Sequence, residues 1–280
     1  MKLLRYGDKG SERPGMLDKD GAIRDISSIT PDIDGAFLAS KQFAALKETN
    51  QSALPRVDRP GRIAEPVARV GKLVCVGLNY ADHAKESGAQ VPPEPVLFMK
   101  ATSAISGPFD NVVLPRDSKK SDWEVELGVI IGKPAKYVSE SNALDYIAGF
   151  CVVNDLSERE FQIEHHGQWV KGKSCDTFAP FGPYLVTPDE AGDFNKLGIW
   201  LELNGKRVQN GSTGTMVYKV PFLLHYISRF MSLQPGDIIS TGTPPGVGLG
   251  MKPPTYLKAG DVMRLGIDGL GEQQQTVVSE

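Results

Sequence analysis

The side chains best suited to chemistry lie in the run Asp122-Trp123-Glu124-Val125-Glu126-Leu127. Successive side chains of a strand point to opposite faces, so Glu124 and Glu126 share one face while apolar residues occupy the other. A solvated surface strand would show the same alternation. Gly128 and Ile130 continue the carboxylate face, however, so that face is not simply polar.

A third carboxylate is expected beside this pair. Residues 146–153 form a second apolar strand, and Asn154-Asp155 follows it directly. Three carboxylates presented from strand positions form a hard oxygen site that suits Mg²⁺, Mn²⁺ or Ca²⁺. Zinc would prefer His or Cys ligands, and none lies at a suitable spacing. Glu124, Glu126 and Asp155 are therefore the candidate metal ligands.

His83 and Glu86 are a candidate acid–base pair. They stand three residues apart, shortly after an apolar strand at residues 73–76. On a helix this spacing places both on one face, where the carboxylate can orient the imidazole. An ordinary surface pair would use the same spacing. The Gly- and Pro-rich stretch 88–95 that follows favours a mobile lid carrying the pair.

Further polar residues follow Asp155. Arg159, Gln162 and Lys173 could bind a substrate carboxylate or stabilise an enolate oxygen, although a solvated loop uses the same residue types. The pair His165-His166 is not expected to bind a metal, because neighbouring side chains on a regular element diverge. His225 lies in an amphipathic segment, where a packed or surface histidine is expected.

A Gly-rich turn occupies residues 241–248, with the sequence Thr-Gly-Thr-Pro-Pro-Gly-Val-Gly. It lacks the Lys-Ser/Thr ending of a phosphate-binding loop, and its prolines oppose an immediate helix, so ATP binding is disfavoured. Its backbone amides, such as that of Gly242, and the Thr243 hydroxyl could still hold a substrate carboxylate. A purely structural turn is equally compatible with this composition.

The composition is that of an ordinary globular chain of 280 residues, with a formal net charge of −3. Without a long basic run, nothing favours a nucleic acid or an anionic membrane as partner. The N-terminal apolar stretch is too short for a signal peptide, and no apolar run approaches the roughly 20 residues of a membrane span. Three cysteines without a CxxC pair indicate reduced thiols, so a cytoplasmic location is expected.

The residue pattern predicts an α+β fold dominated by strands. Short strands are expected in residues 1–29 and helical turns in residues 30–55. A hairpin is predicted at Asn204-Gly205, and a helix from about Pro221 to Met231. The elements lack the regular alternation of a doubly wound sheet.

Residues 55–66 are rich in Pro, Arg and Asp and are predicted to form a linker. We therefore expect two parts. A small N-terminal domain and linker would occupy residues 1–65, and a main domain would occupy residues 66–280.

Six motifs, in order, resemble the fumarylacetoacetate hydrolase family over roughly residues 70–278. They are GLNYADHAKE, PVLFMK, DWEVELGVIIG, NDLSEREFQ, GKSCDTFAPFGP and TGTPPGVG. The resemblance implies a mixed β-sandwich roll with a small N-terminal α/β domain, and a homodimer. It also implies a bound Mg²⁺, with Mn²⁺ or Ca²⁺ as substitutes.

The resemblance also implies a role for each candidate residue. Glu124, Glu126 and Asp155 would bind the metal; His83 and Glu86 would activate water, with Lys173 as a further catalytic residue; and Arg159, Gln162, Thr243 and Gly242 would bind substrate. Some members have a further metal-binding Asp before the dyad. The corresponding position here is Val76, so a three-carboxylate site is expected.

The implied reaction is Mg²⁺-dependent hydrolysis of the C3–C4 bond of a 2,4-dioxo acid. The chain is most similar to bacterial members that act on 2,4-diketo-3-deoxy sugar acids of the L-rhamnonate or L-fuconate type, which would give pyruvate and a hydroxy acid such as lactate. Acylpyruvate hydrolysis, oxaloacetate decarboxylation, 2-oxo-dienoate isomerisation or hydration, and ureidoglycolate cleavage are alternatives, because all use a similar chelating acid head. The intact His83–Glu86 pair disfavours a catalytically silent scaffold.

Overall fold

Strands supply most of the regular structure in the computed structural model, which describes residues 1–86, 88 and 90–280. Eighteen strands occur in these residues. The first nine are β1 (Lys2–Tyr6), β2 (Arg13–Leu17), β3 (Ile23–Asp25), β4 (Ile63–Ala64), β5 (Leu73–Gly77), β6 (Val96–Lys100), β7 (Ile105–Ser106), β8 (Val112–Leu114) and β9 (Ser121–Asp122). The others are β10 (Val125–Ile131), β11 (Ile147–Asn154), β12 (Ser157–Glu158), β13 (Ala179–Val186), β14 (Gly198–Leu203), β15 (Lys206–Ser212), β16 (Ile238–Ser240), β17 (Val262–Ile267) and β18 (Gly271–Ser279).

The helices are short, apart from one. They are α1 (Gly35–Leu38), α2 (Lys41–Ala45), α3 (Ala81–Glu86), α4 (Val170–Lys173), α5 (Pro188–Ala191) and α6 (Val220–Phe230). The predicted helix at 221–231 is confirmed as α6, and the helical turns expected in residues 30–55 are α1, α2 and two 3₁₀ turns. Within the described ranges, no helix has the length and apolarity that a bilayer crossing requires.

Two large sheets form the framework. An eleven-stranded sheet has the order β3-β2-β1-β13-β11-β10-β16-β5-β6, with β4 beside β1 and β7 beside β13. A five-stranded sheet has the order β15-β14-β17-β18-β8. The β14–β15 hairpin turns at Asn204 and Gly205, both at positive φ, as predicted. The strand-dominated α+β prediction is confirmed.

β10 lies inside the large sheet, paired with β11 on one side and β16 on the other. Its apolar row, which includes Val125, Leu127 and Val129, packs in the core shared with the five-stranded sheet. The opposite face meets a second core, to which Ile130 contributes. The predicted alternation is therefore correct, but both faces are covered by protein rather than one being solvated.

The N-terminal strands extend the large sheet. β1 pairs with β13, so Leu3 lies opposite Leu185. β4, within the stretch predicted as a linker, pairs with β1 and has Ala64 buried. Part of that stretch is therefore strand, because its backbone groups complete the edge of β1. The division of the chain at residue 65 stays a prediction.

Candidate active site

Three buried carboxylates converge where β10 begins and β11 ends. Glu124 precedes β10, Glu126 lies on it, and Asp155 follows β11. The Asp155 backbone N–H donates to the Glu124 carbonyl at 2.8 Å and joins the two strand ends. Each carboxylate offers an oxygen, and these oxygens all lie within 4.8 Å of one another. The alternative of a solvated carboxylate face is wrong, since Glu124 is 5% exposed and Glu126 2%.

Three cationic side chains surround this cluster. The Lys173 ammonium bridges Glu124 and Asp155, at 2.6 and 2.8 Å. The Arg159 guanidinium donates to Glu124 at 2.7 Å. Lys100, which is also buried, donates to Asp155 at 2.6 Å and to the Leu156 carbonyl at 2.8 Å. Buried charges are tolerated when paired in this way.

The pairing leaves the carboxylates in unequal environments. Burial acts to raise the pKa of Glu124, but Lys173 and Arg159 hold that pKa far below its ordinary value. For Glu126, burial and the nearby charges of Asp155 and Glu124 instead hold the pKa well above the ordinary value. Although burial opposes the charge, Asp155 and Glu124 raise the pKa of Lys173, so it stays an ammonium. Among the described residues, Glu126 is the acid of the three that forms no ion pair.

The two carboxylate oxygens of Glu126 differ in their hydrogen bonds. Its Oε2 accepts hydrogen bonds from the Ser240 hydroxyl at 2.5 Å and the Gly242 N–H at 2.9 Å. No donor among the described residues reaches Oε1. A carboxylate oxygen that no described donor reaches, on a side chain that lines the cavity beside two other carboxylates, fits a hard divalent cation. The donor set therefore suits Mg²⁺ or Mn²⁺.

The His83–Glu86 pair lies on α3, as predicted. His83 Nδ1 stands 3.5 Å from Glu86 Oε2. Both Glu86 oxygens accept from the Gly246 N–H at 3.0 Å, so the Gly-rich turn fixes this carboxylate. Burial acts to raise the pKa of Glu86, but His83 and the Gly246 amide lower it below the ordinary value. The predicted lid segment 88–95 includes Ala89, which lies outside the described residues.

A cavity of about 280 Å³ unites most of the predicted site. Eight of the ten predicted residues line it: His83, Glu124, Glu126, Asp155, Arg159, Gln162, Lys173 and Thr243. Glu86 and Gly242 do not line the cavity. Glu86 instead contacts His83, and the Gly242 N–H donates to Glu126. The substrate-binding role of Gly242 stays a prediction.

The two neutral lining residues are tied to their neighbours. Gln162 accepts from Arg159 at 3.1 Å. The Thr243 hydroxyl donates to the Val125 carbonyl at 2.9 Å and accepts from Gln209 at 2.8 Å. Both side chains are buried and held in place, as substrate-positioning groups need to be.

The remaining histidines lie elsewhere. His165 and His166 are exposed after the turn at Glu160–Glu164. His225 on α6 bonds through Nδ1 to the Val138 carbonyl at 2.6 Å. The contact of His225 fits the packed or surface histidine that was predicted, and the absence of a metal at His165 and His166 stays a prediction.

Sequence reasoning missed three supporting residues. Lys100 pairs with Asp155, and Ser240 holds Glu126. Asp122 is fully buried and accepts from Arg159 Nε at 2.8 Å, from the Gly248 N–H at 2.6 Å and from the Leu249 N–H at 3.0 Å. Asp122 and Lys100 belong to motifs that carry the family resemblance. Their roles could not be predicted because the residues they contact are distant in sequence.

The sequence matches the family described as fumarylacetoacetate (FAA) hydrolase C-terminal over residues 72–278. The chain belongs to this family. A relative from Burkholderia multivorans is 59% identical over 276 residues, which is 98% of each chain, and is named a hydrolase provisionally, without a substrate.

Solved structures of hydrolases and of an isomerase share the fold. Fumarylacetoacetate hydrolase from Exiguobacterium antarcticum has a TM-score of 0.87 at 36% identity, with 100% of both chains covered. 2-Hydroxyhepta-2,4-diene-1,7-dioate isomerase from Mycobacterium marinum has a TM-score of 0.76 at 31% identity, covering 100% of this chain and 99% of its own. Maleylpyruvate hydrolase from Sphingobium sp. SYK-6, in complex with manganese(II) and pyruvate, has a TM-score of 0.82 at 30% identity with the same coverage.

Proposed function

We propose that the protein hydrolyses the C3–C4 bond of a 2,4-dioxo acid with the help of Mg²⁺ and releases pyruvate. The observation that carries this proposal is the convergence of Glu124, Glu126 and Asp155 on one cavity that His83 also lines. The structural neighbour that holds manganese(II) and pyruvate supports the choice of metal and acid head.

Glu124, Glu126 and Asp155 are the residues that would hold the cation. When bound, the cation supplies Lewis-acid polarisation of the carboxylate and 2-oxo oxygens of the substrate. Glu126 Oε1 is an acceptor that no donor in the described part of the chain reaches, and the oxygen-only ligand set favours Mg²⁺ or Mn²⁺ over zinc.

The chain's own residues would carry the proton and the developing charge. His83, oriented by Glu86, takes a proton from water, and the resulting hydroxide adds to the C4 carbonyl. The C3–C4 electron pair then moves to C3 and gives the enolate of pyruvate, while C4 leaves as a carboxylic acid. The Lys173 ammonium stabilises the enolate oxygen, and the proton on His83 returns to C3.

The remaining lining residues would hold the substrate head. Arg159 and Gln162 stand at hydrogen-bond distance from each other, and Arg159 keeps a second contact to Glu124. With Thr243, they line the same cavity as the carboxylates and present fixed polar groups to it. Such fixed contacts position the reacting carbon and contribute through orientation.

The decisive assay incubates the protein with 2,4-dioxopentanoate and Mg²⁺, with and without chelator, and measures pyruvate. We expect pyruvate only when the metal is present. His83→Ala should lower turnover by about 10²-fold or more because proton transfer is lost. Calorimetry should show that this variant still binds Mg²⁺. Pyruvate formation at the original rate by His83→Ala would remove His83 from the mechanism.

Isomerisation is a second candidate, because the Mycobacterium marinum neighbour is an isomerase. Nuclear magnetic resonance of the products separates the two, since an isomerase keeps the carbon chain whole. An absence of metal-dependent change in any 2-oxo acid tested would instead favour a silent scaffold. The sugar-acid specificity and the homodimer remain narrower proposals, which rest on the sequence resemblance.

A further inference from the structure

Val125 lies between Glu124 and Glu126, at the start of β10. The residues that pair β10 with β16 lie further along β10. The Val125 N–H donates instead to Gln209 Oε1 at 3.0 Å, and the Val125 carbonyl accepts from the Thr243 hydroxyl at 2.9 Å. Two side chains therefore take the place of the backbone groups that a neighbouring strand would offer, at the residue between two candidate metal ligands.

The Gln209 carboxamide is fully buried, and both of its polar atoms are hydrogen-bonded. While Oε1 accepts from Val125, Nε2 donates to the Thr243 hydroxyl and to the Pro244 carbonyl, each at 2.8 Å. The two protons of the amide are therefore both used. The Thr243 hydroxyl donates its one proton to Val125 and accepts from Gln209, so the carboxamide fixes the direction of this hydroxyl.

The Gly-rich turn packs against β15 on both sides of this carboxamide. Gly246 has a φ of +107°, and a Cβ at this position would collide with the Val208 carbonyl. A Cβ on Gly211 would stand 2.7 Å from the Pro244 Cβ. The turn lies directly against the strand because both side chains are missing. Since the Gly246 N–H also donates to Glu86, the same strand supports the acid–base pair.

We propose that Gln209 is a positioning residue for the candidate active site. Through Val125 it sets the separation of Glu124 and Glu126, and through Thr243 it fixes a group that lines the cavity. This inference rests on the proposed function, because it assumes that these residues bind the metal and the substrate head. Gln209 is not among the lining residues of the cavity, so it acts through the residues that it contacts.

The size of the expected effect follows from the precision that such sites need. Metal-binding and substrate-binding side chains must be held within about 0.5 Å of their working positions. Without the carboxamide, the Val125 N–H and the Pro244 carbonyl lose their partners in the protein interior, and the backbone must shift to find others. Removing a residue that orients metal ligands typically lowers metal affinity or activity by about 10-fold to 100-fold.

Gln209→Met tests the branch through Val125. The change keeps the length of the side chain and removes its hydrogen bonds, so we expect Mg²⁺ affinity, measured by calorimetry, to weaken by roughly 10-fold or more. Gln273→Met is the matched control. Gln273 is also fully buried, lies on β18 of the same sheet and donates to the carbonyls of Val152 and Gly182, neither of which lines the cavity.

The control separates positioning from a general loss of stability. Both variants should lower the urea concentration at the unfolding midpoint, because each leaves buried backbone carbonyls without donors. Only Gln209→Met should lose Mg²⁺ affinity. Unchanged affinity in Gln209→Met, or an equal loss in Gln273→Met, would overturn the positioning role. If Gln209→Met does not fold, Gln209→Asn retains a carboxamide that is one methylene too short to keep its present contacts, and the same loss is expected.

A double-mutant cycle at saturating Mg²⁺ tests the branch through Thr243. Thr243→Val removes the hydroxyl and should lower kcat/KM for 2,4-dioxopentanoate, whereas Thr243→Ser keeps the hydroxyl and should stay close to the original value. Because Gln209 acts through Thr243, adding Gln209→Met to Thr243→Val should lower kcat/KM by a smaller factor than Gln209→Met does alone. Factors that simply multiply would show that the two residues act independently and would overturn this branch.

The measurements distinguish this inference from the proposed function. Metal binding needs no substrate. Weaker Mg²⁺ affinity in Gln209→Met, with no pyruvate from the unaltered protein, would sink the hydrolase proposal and keep the positioning of the metal ligands. Pyruvate from the unaltered protein, with unchanged Mg²⁺ affinity and unchanged kcat/KM in Gln209→Met, would keep the hydrolase proposal and overturn the role of Gln209.

Discussion

Two charge clusters in the molecule contain the same residue types but differ in what each acid contacts. In the N-terminal cluster, Arg5 contacts Glu12, Asp32 and Glu65. Arg62 contacts Glu12, Glu65 and a further acid, Asp110, at 2.6 Å. Every one of these carboxylates therefore touches a guanidinium.

In the cluster at the candidate active site, two of the three acids form ion pairs and the third is held by uncharged groups. Glu124 and Asp155 contact cationic side chains, whereas Glu126 is held only by Ser240 and the Gly242 amide in the part of the chain that the structure describes. Glu126 is also buried more deeply than the N-terminal acids, whose side chains are 10–26% exposed.

The comparison teaches that the count of acids does not distinguish a structural cluster from a functional one. The N-terminal cluster holds four carboxylates and two guanidinium groups, whereas the candidate site holds three carboxylates and three cationic side chains. In the N-terminal cluster, solvent and guanidinium groups satisfy the surplus. In the candidate site, Glu126 contacts no cationic side chain among the described residues and lies beside two other acids, an arrangement that favours binding of a divalent cation.

The largest expected effect comes from Lys100→Met. This change leaves Asp155 with one cation fewer in a fully buried position, so we expect unfolding free energy in chelator to fall by about 3 kcal/mol. Urea unfolding measures this, and added Mg²⁺ should restore part of the loss. Lys120→Met is the control, since Lys120 pairs with Glu164 at the surface. A loss for Lys100→Met no larger than for the control would contradict the prediction.

The next largest effect is expected for Glu126→Gln, which tests the unpaired acid of the candidate site. We expect Mg²⁺ affinity to weaken by about 100-fold, because a ligand charge is lost. Stability in chelator should not fall, since the amide keeps an acceptor for Ser240 and removes repulsion with the other acids. Calorimetry and urea unfolding measure the two quantities. Glu65→Gln, in the N-terminal cluster, should show the reverse pattern, with unchanged Mg²⁺ affinity.

Arg62→Met should cost stability but not activity. The side chain is 21% exposed and contacts three carboxylates, so a loss of about 1 kcal/mol is expected. Pyruvate formation and Mg²⁺ affinity should stay at their original values. Lower Mg²⁺ affinity in this variant would show that the two clusters are coupled.

The smallest effect is a dependence of stability on acid pH. Although burial acts to raise them, hydrogen bonds and Arg62 lower the pKa values of Glu12 and Asp110. Their stabilisation is present above the unfolded-state pKa values, near pH 4, and is lost as pH falls through the lower folded-state values. Thermal melting between about pH 5 and 2 should show this loss, and Arg62→Met should reduce the slope. An identical slope in the variant would assign the loss to other carboxylates.

Local patterns predicted the parts of the fold that depend on neighbouring residues. The alternation around Glu124 and Glu126, the hairpin at Asn204-Gly205 and the helix α6 all follow from side-chain period or turn chemistry. The family resemblance then identified eight residues that line one cavity in the structure. Those predictions needed no knowledge of strand order.

Contacts between distant segments could not be predicted in this way. Lys100 meets Asp155 although three strands separate β6 from β11 in the sheet order, and Ser240 meets Glu126 because β16 pairs with β10. The pairing of β1 with β13 is likewise invisible in the N-terminal sequence. Strand order is set by the whole chain, so a sequence pattern shows which face a residue takes but not which partner it meets.

The residues that line the cavity lie on two kinds of backbone, strands and segments outside the strands. The two kinds differ in how readily their side chains can be substituted. Glu126 belongs to a strand hydrogen-bonded on both edges, so a shift of its backbone would disturb the sheet. Ile163 lies in the short helix Glu160–Glu164, Trp169 on a turn and Leu249 in the 3₁₀ helix Gly248–Gly250, so all three stand outside the strand ladders. Substitutions at these three positions would therefore reshape the cavity lining while the strand that carries Glu126 stays unaltered.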